Sequence, residues 1–265
     1  MKRRSTSRFR VATVAVSLLI AAFIVLVLLG VVTHSPLNVL IECLLSEEIQ
    51  FAVRLSILTS VISTLLCILV AVPVAYALAR YTFPGKSLMN MVMDIPMALP
   101  PLVAGVGLLL FFGVSPVGKA LAAVGLTFVF TPLGIVMAQF FVNLPYMLRV
   151  TRSTFQSVNP RYEYVAKTLG CTDAQAFWRV TLPMSWNGLL AGAVITWSKG
   201  IGEFGAALML AGATRMKTET LPLSLFLNMS TGKLEVGISA ATILILISVI
   251  SLYVFERYGG ATHAY

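Results

Sequence analysis

Long apolar stretches separated by shorter polar segments set the pattern of this 265-residue chain. An α-helix rises about 1.5 Å per residue, so about 20 apolar residues cross the hydrocarbon core of a bilayer. Six stretches reach that length, at residues 11–32, 51–78, 88–113, 128–148, 184–211 and 236–255. The pattern predicts an all-α, polytopic membrane protein with six transmembrane helices. They form one domain over residues 1–265, with its core at residues 50–255.

The third predicted span contains residues that disturb a helix. Asp94 lies within it, and Pro96, Pro100 and Pro101 each remove a backbone N–H group. Broken helices at membrane depth are tolerated where the backbone lines a cavity or is buried in protein. We expect this span to bend, either beside a transport pathway or as a packing kink. Asp94, Pro96 and Pro100 are therefore candidate pathway or gate residues.

The fifth predicted span carries two ionisable residues, Lys199 and Glu203, four positions apart. Such residues are costly in a membrane and usually face the bundle interior or a water-filled path. One interpretation is an ion pair that holds helices together, with Glu203 or Asp94 as the partner of Lys199. The other is a pathway lining that an anion senses. Glycines at 200, 202 and 205 predict close helix contact.

Composition and charge agree with a membrane location. Hydrophobic residues make up 58% of the chain and charged residues 11%, against about 25% charged residues in soluble domains. The net charge is +9, and 13 of the 19 lysines and arginines fall on the side that holds both termini. By the positive-inside rule we expect that side of the cell membrane to be the cytosolic one. The excess of positive charge therefore requires no nucleic-acid partner. Three cysteines and two histidines, none at ligand spacing, indicate no metal site.

The longest polar segment, residues 149–183, falls on the cytosolic side of this topology. Asn159 is a suitable N-cap for one short helix, and Gly170 is placed to end it in a left-handed conformation. Thr172 and Gln175 have capping-box spacing at the start of a second helix. Pro183 is expected to stop this second helix or bend it into the next span.

The first of these short helices has two different faces. An apolar stripe at helical spacing consists of Tyr162, Val165, Ala166 and Leu169. On another face, Glu163 and Lys167 lie four residues apart, in the order that favours an ion pair within the helix. A helix of about ten residues is marginal alone in water. It therefore either lies on the protein's own cytosolic surface or docks a partner protein.

The segment from Asn159 to Pro183 resembles the cytoplasmic EAA loop of ABC-importer membrane subunits. That motif has Glu-Ala-Ala, three residues, a glycine, nine residues and Ile-x-Leu-Pro. This chain has Tyr164-Val165-Ala166, Gly170, Val180 and Leu182-Pro183 at those positions. It departs from the motif at Tyr164, with Glu163 one place early. The resemblance implies a coupling helix that sits in a groove of an ATPase subunit, through Tyr162, Glu163, Tyr164, Val165, Ala166, Thr168, Leu169 and Gly170.

Further stretches resemble the molybdate/tungstate branch of these permeases, namely residues 83–86 with 94–105, residues 197–206, and residues 220–224 with 232–235. Sulfate permeases are similar in the first two, so a sulfate or thiosulfate cargo stays an alternative. The resemblance implies the ABC-importer permease fold, a homodimer with one pathway, two ABC ATPase subunits and an extracytoplasmic oxyanion-binding protein.

ATP and Mg²⁺ are expected on the partner ATPase, with no cofactor and no catalytic residue on this chain. The run Phe83-Pro-Gly-Lys-Ser87 is not a phosphate-binding loop, because Arg80 stands where that motif requires glycine. Two other functions stay open. An ion-coupled secondary anion carrier would use Lys199, Glu203 and Asp94 as a relay. A membrane scaffold that only assembles partners would not need Lys199.

Overall fold

The computed structural model describes residues 8–259, with side chains up to residue 253. This part of the chain is helical and contains no strand. The tail residues 2–4, which the charge argument places in the cytosol, lie outside it. Its helices are α1 (Arg8–Thr33), α2 (Leu37–Leu45), α3 (Glu47–Arg80), α4 (Lys86–Ala98), α5 (Pro101–Gly113), α6 (Pro116–Ala123), α7 (Pro132–Ser157), α8 (Arg161–Thr168), α9 (Asp173–Ala176), a π-helical turn (Phe177–Thr181), α10 (Leu182–Met184), α11 (Trp186–Ile201), α12 (Gly205–Ala211), α13 (Leu221–Ser230) and α14 (Leu234–Gly259).

Four described helices are long and apolar enough to cross a membrane, namely α1, α3, α7 and α14. The pair α4 and α5 forms a fifth candidate, with a bend of 110°. The predicted fifth span is divided between α11, of 16 residues, and α12, of 7 residues. The all-α membrane class is therefore confirmed. The count of six spans and the cytosolic side of both termini stay predictions.

The bend in the third predicted span lies where its prolines stand. Helix α4 ends at Ala98, and Leu99 is extended, with φ −81° and ψ 141°. A residue that precedes proline is disfavoured from the α conformation, which accounts for Leu99. Pro100 then caps α5, and Pro101 occupies its first turn, where no backbone N–H is needed. The predicted bend is thus confirmed.

Small side chains let the central helices pack closely. Helices α3 and α7 form the middle of the bundle, and α11 packs against both. The buried small residues of α3 are Ala52, Ser56, Thr59, Ser60, Ser63, Thr64, Cys67, Ala71 and Ala75. Because lipid tails are as apolar as leucine, helix association in a membrane depends on such close packing.

Helices α5 and α12 also meet in a close contact. A Cβ atom added to Gly105 would lie 2.8 Å from Cα of Ala206, and one added to Gly205 would lie 2.9 Å from Cβ of Pro101. The close contact predicted for Gly205 is therefore found, and it ties the second half of the bent span to α12. Gly202 differs, because no atom lies within 3.8 Å of its added Cβ.

We predict that Gly105→Ala destabilises the bundle, whereas Gly107→Ala, two residues along and nearly on the opposite face of the same helix, does not. An added methyl at Gly105 meets backbone atoms that cannot move aside, and overpacking of this kind costs about 1–3 kcal/mol. At Gly107 nothing lies within 4 Å, so the higher helix propensity of alanine prevails. Thermal unfolding of both variants in detergent measures the difference. Equal melting temperatures would contradict the packing argument.

Candidate functional site

Helix α8 forms as a short, capped unit. At its start, the side-chain oxygen of Asn159 accepts a hydrogen bond from the backbone N–H of Arg161, at 3.0 Å. At its end, Gly170 has φ +89°. Its N–H donates to the carbonyl of Lys167, and the next N–H donates to the carbonyl of Ala166, both at 3.0 Å. This is a Schellman motif, which requires a residue in the left-handed region. The left-handed end at Gly170 is confirmed. Asn159 caps the first turn through its side-chain bond, although the residue directly before the helix is Pro160.

The second half of the polar segment leads into α11 with little interruption. Thr172 and Gln175 form the predicted capping box, with reciprocal hydrogen bonds of 3.3 and 2.9 Å. After α9 the chain makes a π-helical turn, in which the N–H of Leu182 bonds the carbonyl of Phe177. Pro183 lies in the first turn of α10, where its missing N–H does no harm. The helical path continues past it, so Pro183 does not stop the helix.

A buried ion pair attaches α8 to the bundle. Glu163 is only 4% exposed. Its carboxylate accepts hydrogen bonds from Nε of Arg80 at 2.7 Å, from the hydroxyl of Tyr76 at 3.0 Å and from the hydroxyl of Thr181 at 2.6 Å. Arg80 also donates to the carbonyl of Val158 at 2.9 Å. These contacts join α8 to the end of α3 and to the π-helical turn. We name this cluster, Tyr76, Arg80, Glu163 and Thr181, the anchor.

The predicted ion pair between Glu163 and Lys167 is wrong. Glu163 turns inward to Arg80, and Lys167 pairs instead with Asp173, at the start of α9. The reason is that a buried arginine needs a close partner, whereas an exposed pair within one helix contributes little. Glu163 therefore faces the bundle rather than a docking partner, and Ala166 is buried as well.

Apart from Ala166, the apolar stripe of α8 is left open by this arrangement. Six of the eight residues predicted to couple are exposed, and they are Tyr162, Tyr164, Val165, Thr168, Leu169 and Gly170. Leu169 is 81% exposed. Because a polar anchor holds α8, its apolar stripe does not pack on the chain's own surface. An exposed apolar patch of this kind is typical of an interaction surface.

The predicted pair of Lys199 with Glu203 does not form. Helix α11 ends at Ile201, so the two residues do not share one continuous helix face. The carboxylate of Glu203 is buried and accepts a hydrogen bond from the backbone N–H of Ala206 at 2.9 Å, at the start of α12. Lys199 is exposed on the chain, with Nζ 4.2 Å from the ring centre of Tyr146.

Asp94 does not pair with Lys199 either. Its two carboxylate oxygens accept hydrogen bonds from Nε and Nη2 of Arg149, at 3.1 and 2.9 Å. This two-bond fork ties α4 to α7, and both side chains are partly exposed, at 56% for Arg149 and 38% for Asp94. The charges of the third and fifth predicted spans thus have separate surroundings. Pro96 and Pro100 belong to the bend described above.

Some polar residues of the bundle were missed from the sequence. Gln139 of α7 is buried and donates to the carbonyl of Gly200 at 2.9 Å. Asn143, four residues on, is buried at the same helix face. At the other end, Arg215 pairs with Glu48 at 2.6 Å. The signal for the first two was present, because two amides at helical spacing are unusual in an apolar span.

Comparisons with known proteins bear on the whole of this architecture. Residues 71–258 match the family described as binding-protein-dependent transport system inner membrane component. The molybdenum transport system permease protein of Mycobacterium tuberculosis is 37% identical over 200 residues, which are 75% of each chain. The sulfate transport system permease protein of Synechocystis sp. is 33% identical over 224 residues, which are 84% of this chain and 81% of that one.

A solved structure shares the fold. It is that of a bacterial ABC transporter involved in the import of the acidic polysaccharide alginate, with a TM-score of 0.74 over 95% of this chain and 94% of the other. The two sequences are 14% identical, so this likeness concerns the fold alone.

We predict that Glu163→Ala destabilises the protein far more than Lys167→Ala. Removal of Glu163 leaves the buried guanidinium of Arg80 without its carboxylate, and loss of one partner of a buried pair costs about 3–5 kcal/mol. Lys167 belongs to an exposed pair, worth about 0–1 kcal/mol. Equilibrium unfolding measures the total, and hydrogen exchange of the α8 amides localises it. Equal losses in the two variants would contradict the anchor.

Acid is expected to release α8. Burial raises the pKa of Glu163, but hydrogen bonds from Thr181, Arg80 and Tyr76 lower it by more. The pKa of Glu163 therefore lies below the usual value of a glutamate. A carboxyl whose pKa is lowered by folding stabilises the folded state at pH values above its unfolded pKa, about 4.3. This stabilisation is lost as the pH falls through the pKa of the folded state. Hydrogen exchange of α8 against pH measures the loss. Glu163→Gln has no carboxyl to protonate at this position, so its α8 exchange should lack this pH dependence. If wild type and Glu163→Gln show the same dependence of exchange on pH, the prediction is refuted.

Proposed function

The chain belongs to the family of inner membrane components of binding-protein-dependent transport systems, and from this premise we propose that it is the translocation subunit of an ATP-driven importer for a tetrahedral oxyanion. It is a multi-pass membrane protein of the ABC-permease class. The observation that carries the proposal is the open apolar stripe of α8, held by the buried anchor. A stripe of this kind suits a groove on a partner protein.

Two ABC ATPase subunits are the proposed partners of α8. ATP and Mg²⁺ bind there, and this chain has no catalytic role. When the ATPase pair closes it moves α8, and the anchor passes this movement to the end of α3 and to the π-helical turn that leads into α11. The bundle then shifts between inward-facing and outward-facing states. Such a shift requires that the ATPase contacts differ between the two states.

The pathway is proposed to lie between two copies of this chain. Tyr146 and Arg149 are three residues apart and so share one face of α7. Lys199 lies over the first, and Asp94 pairs with the second. Exposed charges in the spans are costly against lipid, which supports a face that meets water and a second copy. An extracytoplasmic binding protein delivers the anion on one side, and both termini lie in the cytosol on the other.

Molybdate or tungstate is the proposed cargo, with sulfate or thiosulfate as the alternative. One relative is named for molybdenum and another for sulfate, at 37% and 33% identity. These anions are tetrahedral, and the slightly higher identity favours the first group. A secondary carrier gains no support, because Lys199, Glu203 and Asp94 contact separate partners. A scaffold that only assembles partners does not account for the exposed charges of Lys199, Asp94 and Arg149 in the spans.

Uptake into proteoliposomes tests the proposal. The chain is reconstituted with its ATPase, ATP is loaded on the ATPase side, and labelled molybdate is supplied outside with the binding protein. Uptake is expected to require ATP and to be blocked by tungstate but not by sulfate. Inhibition by sulfate would move the cargo to the alternative. Uptake that ignores ATP and follows an ion gradient would refute the importer.

Leu169→Asp is expected to lower this uptake about fivefold or more, since loss of an apolar contact at the centre of an interface costs about 1 kcal/mol or more. The matched control is Val124→Asp, because Val124 is 74% exposed and lies on the predicted outer side. Copurification of the ATPase with each variant measures docking directly. If both variants retain the ATPase and transport equally, α8 is not the docking helix.

A further inference from the structure

A small polar cavity opens between α4 and α7, in the half of α7 that leads toward α8. Its volume is about 270 Å³. It is lined by Asn90 and Asp94 of α4 and by Leu148, Arg149 and Arg152 of α7. A water molecule takes up about 30 Å³ in the liquid, so the space holds a group several times larger than one water.

The two arginines of this cavity have donors to spare. Arg149 uses Nε and Nη2 on Asp94. Arg152 uses Nη1 on the side-chain oxygen of Asn90, at 2.8 Å. The Nε of Arg152 is buried and has no hydrogen-bond partner among the described residues. A buried donor without a partner costs free energy, and a bound water or ion is one of the explanations for such a group.

The side chains that line this cavity also carry an excess of positive charge. Two guanidinium groups face one carboxylate, and within the described part of the chain Arg152 has no acidic side chain within ion-pair distance. If the cluster served only to tie α4 to α7, the fork between Arg149 and Asp94 would suffice. Arg152 adds to that tie through Asn90, but the tie leaves its buried Nε without a partner.

We propose that this cavity binds a tetrahedral oxyanion between Arg149 and Arg152, and that Asp94 is the resident counter-ion which the anion displaces from Arg149. Planar guanidinium forks match the paired oxygens of such anions and bind them through charge-assisted hydrogen bonds. The identity of the anion as cargo, and the cytosolic position of the cavity, rest on the proposed function. The site is then the last one that the cargo occupies before it enters the cytosol, and the return of Asp94 to Arg149 releases the anion.

Binding of labelled molybdate to the full chain in nanodiscs of neutral lipid, with neither ATPase nor binding protein, tests the site. Arg152→Gln is expected to weaken binding about tenfold or more, since hydrogen bonds to charged groups are among the stronger ones. Asp94→Asn is expected to tighten binding, because it removes the competing carboxylate. A misfolded variant would not bind more tightly, so this second variant protects the test against a folding defect.

Arg179→Gln serves as the matched control, since it removes one positive charge from the exposed polar segment without touching the cavity. Equal binding by wild type, Arg152→Gln and Arg179→Gln would overturn the site. So would weaker binding in Asp94→Asn. A repeat in phosphatidylglycerol nanodiscs examines lipid phosphate as the ligand. If neutral nanodiscs bind no molybdate and the chain selects phosphatidylglycerol instead, the cargo site is refuted.

The result also separates this site from the transport proposal. If uptake needs ATP but the Arg152 and Asp94 variants bind molybdate like wild type, the site fails and the importer stands. If ATP-independent uptake is found while binding still depends on Arg152 and Asp94, the anion site stands and the ATP-driven importer fails.

Discussion

The contact on which the rest of the arrangement depends is the buried pair between Arg80 and Glu163. A buried ion pair is seldom a large net source of stability, because both charges give up their hydration. Its importance here is geometric. Three donors fix one carboxylate, so the Glu163 side of an eight-residue helix must face the bundle, while Tyr162 and Val165 face outward. The same contact joins the end of α3 to the π-helical turn, which leads into α11.

The membrane part shows the opposite balance of forces. Its central helices meet through alanine, serine, threonine and glycine, and the contact between Gly105 and Ala206 leaves no room for a methyl group. Few of the described charges lie in this packed centre, and the buried ones there are Glu203, before α12, and Glu219, before α13. Most of the others lie at helix ends and on the exposed faces of α3, α4, α7 and α11. A packed interior with few charges, beside a surface that carries most of them, fits the proposed pathway between two copies of this chain.

Features that depend on neighbouring residues could be predicted from the sequence, whereas side-chain partners that depend on how each helix is rotated in the bundle could not. The caps at Asn159 and Gly170 depend on a few neighbouring residues, and the bend at Pro100 depends on proline chemistry, so both were found. The partners of Glu163, Asp94 and Lys199 depend on how each helix is rotated in the bundle. Spacing of four residues suggested the pairs Glu163–Lys167 and Lys199–Glu203, but Glu163 pairs with Arg80 and Lys199 lies over Tyr146. The other suggested partner of Lys199, Asp94, pairs with Arg149. The resemblance identified the loop, but the shifted glutamate carried no signal of its inward direction.

The bend of 110° between α4 and α5 also has a consequence for biosynthesis. Each half has 13 residues, about 20 Å of helix, against a hydrocarbon core of about 30 Å. Neither half can therefore settle in the bilayer as an independent span when it leaves the ribosome. The half formed by α5 packs most extensively against α12, which is synthesised about a hundred residues later. Completion of this region must wait for that late segment, so a truncated chain should expose a site that membrane quality control recognises.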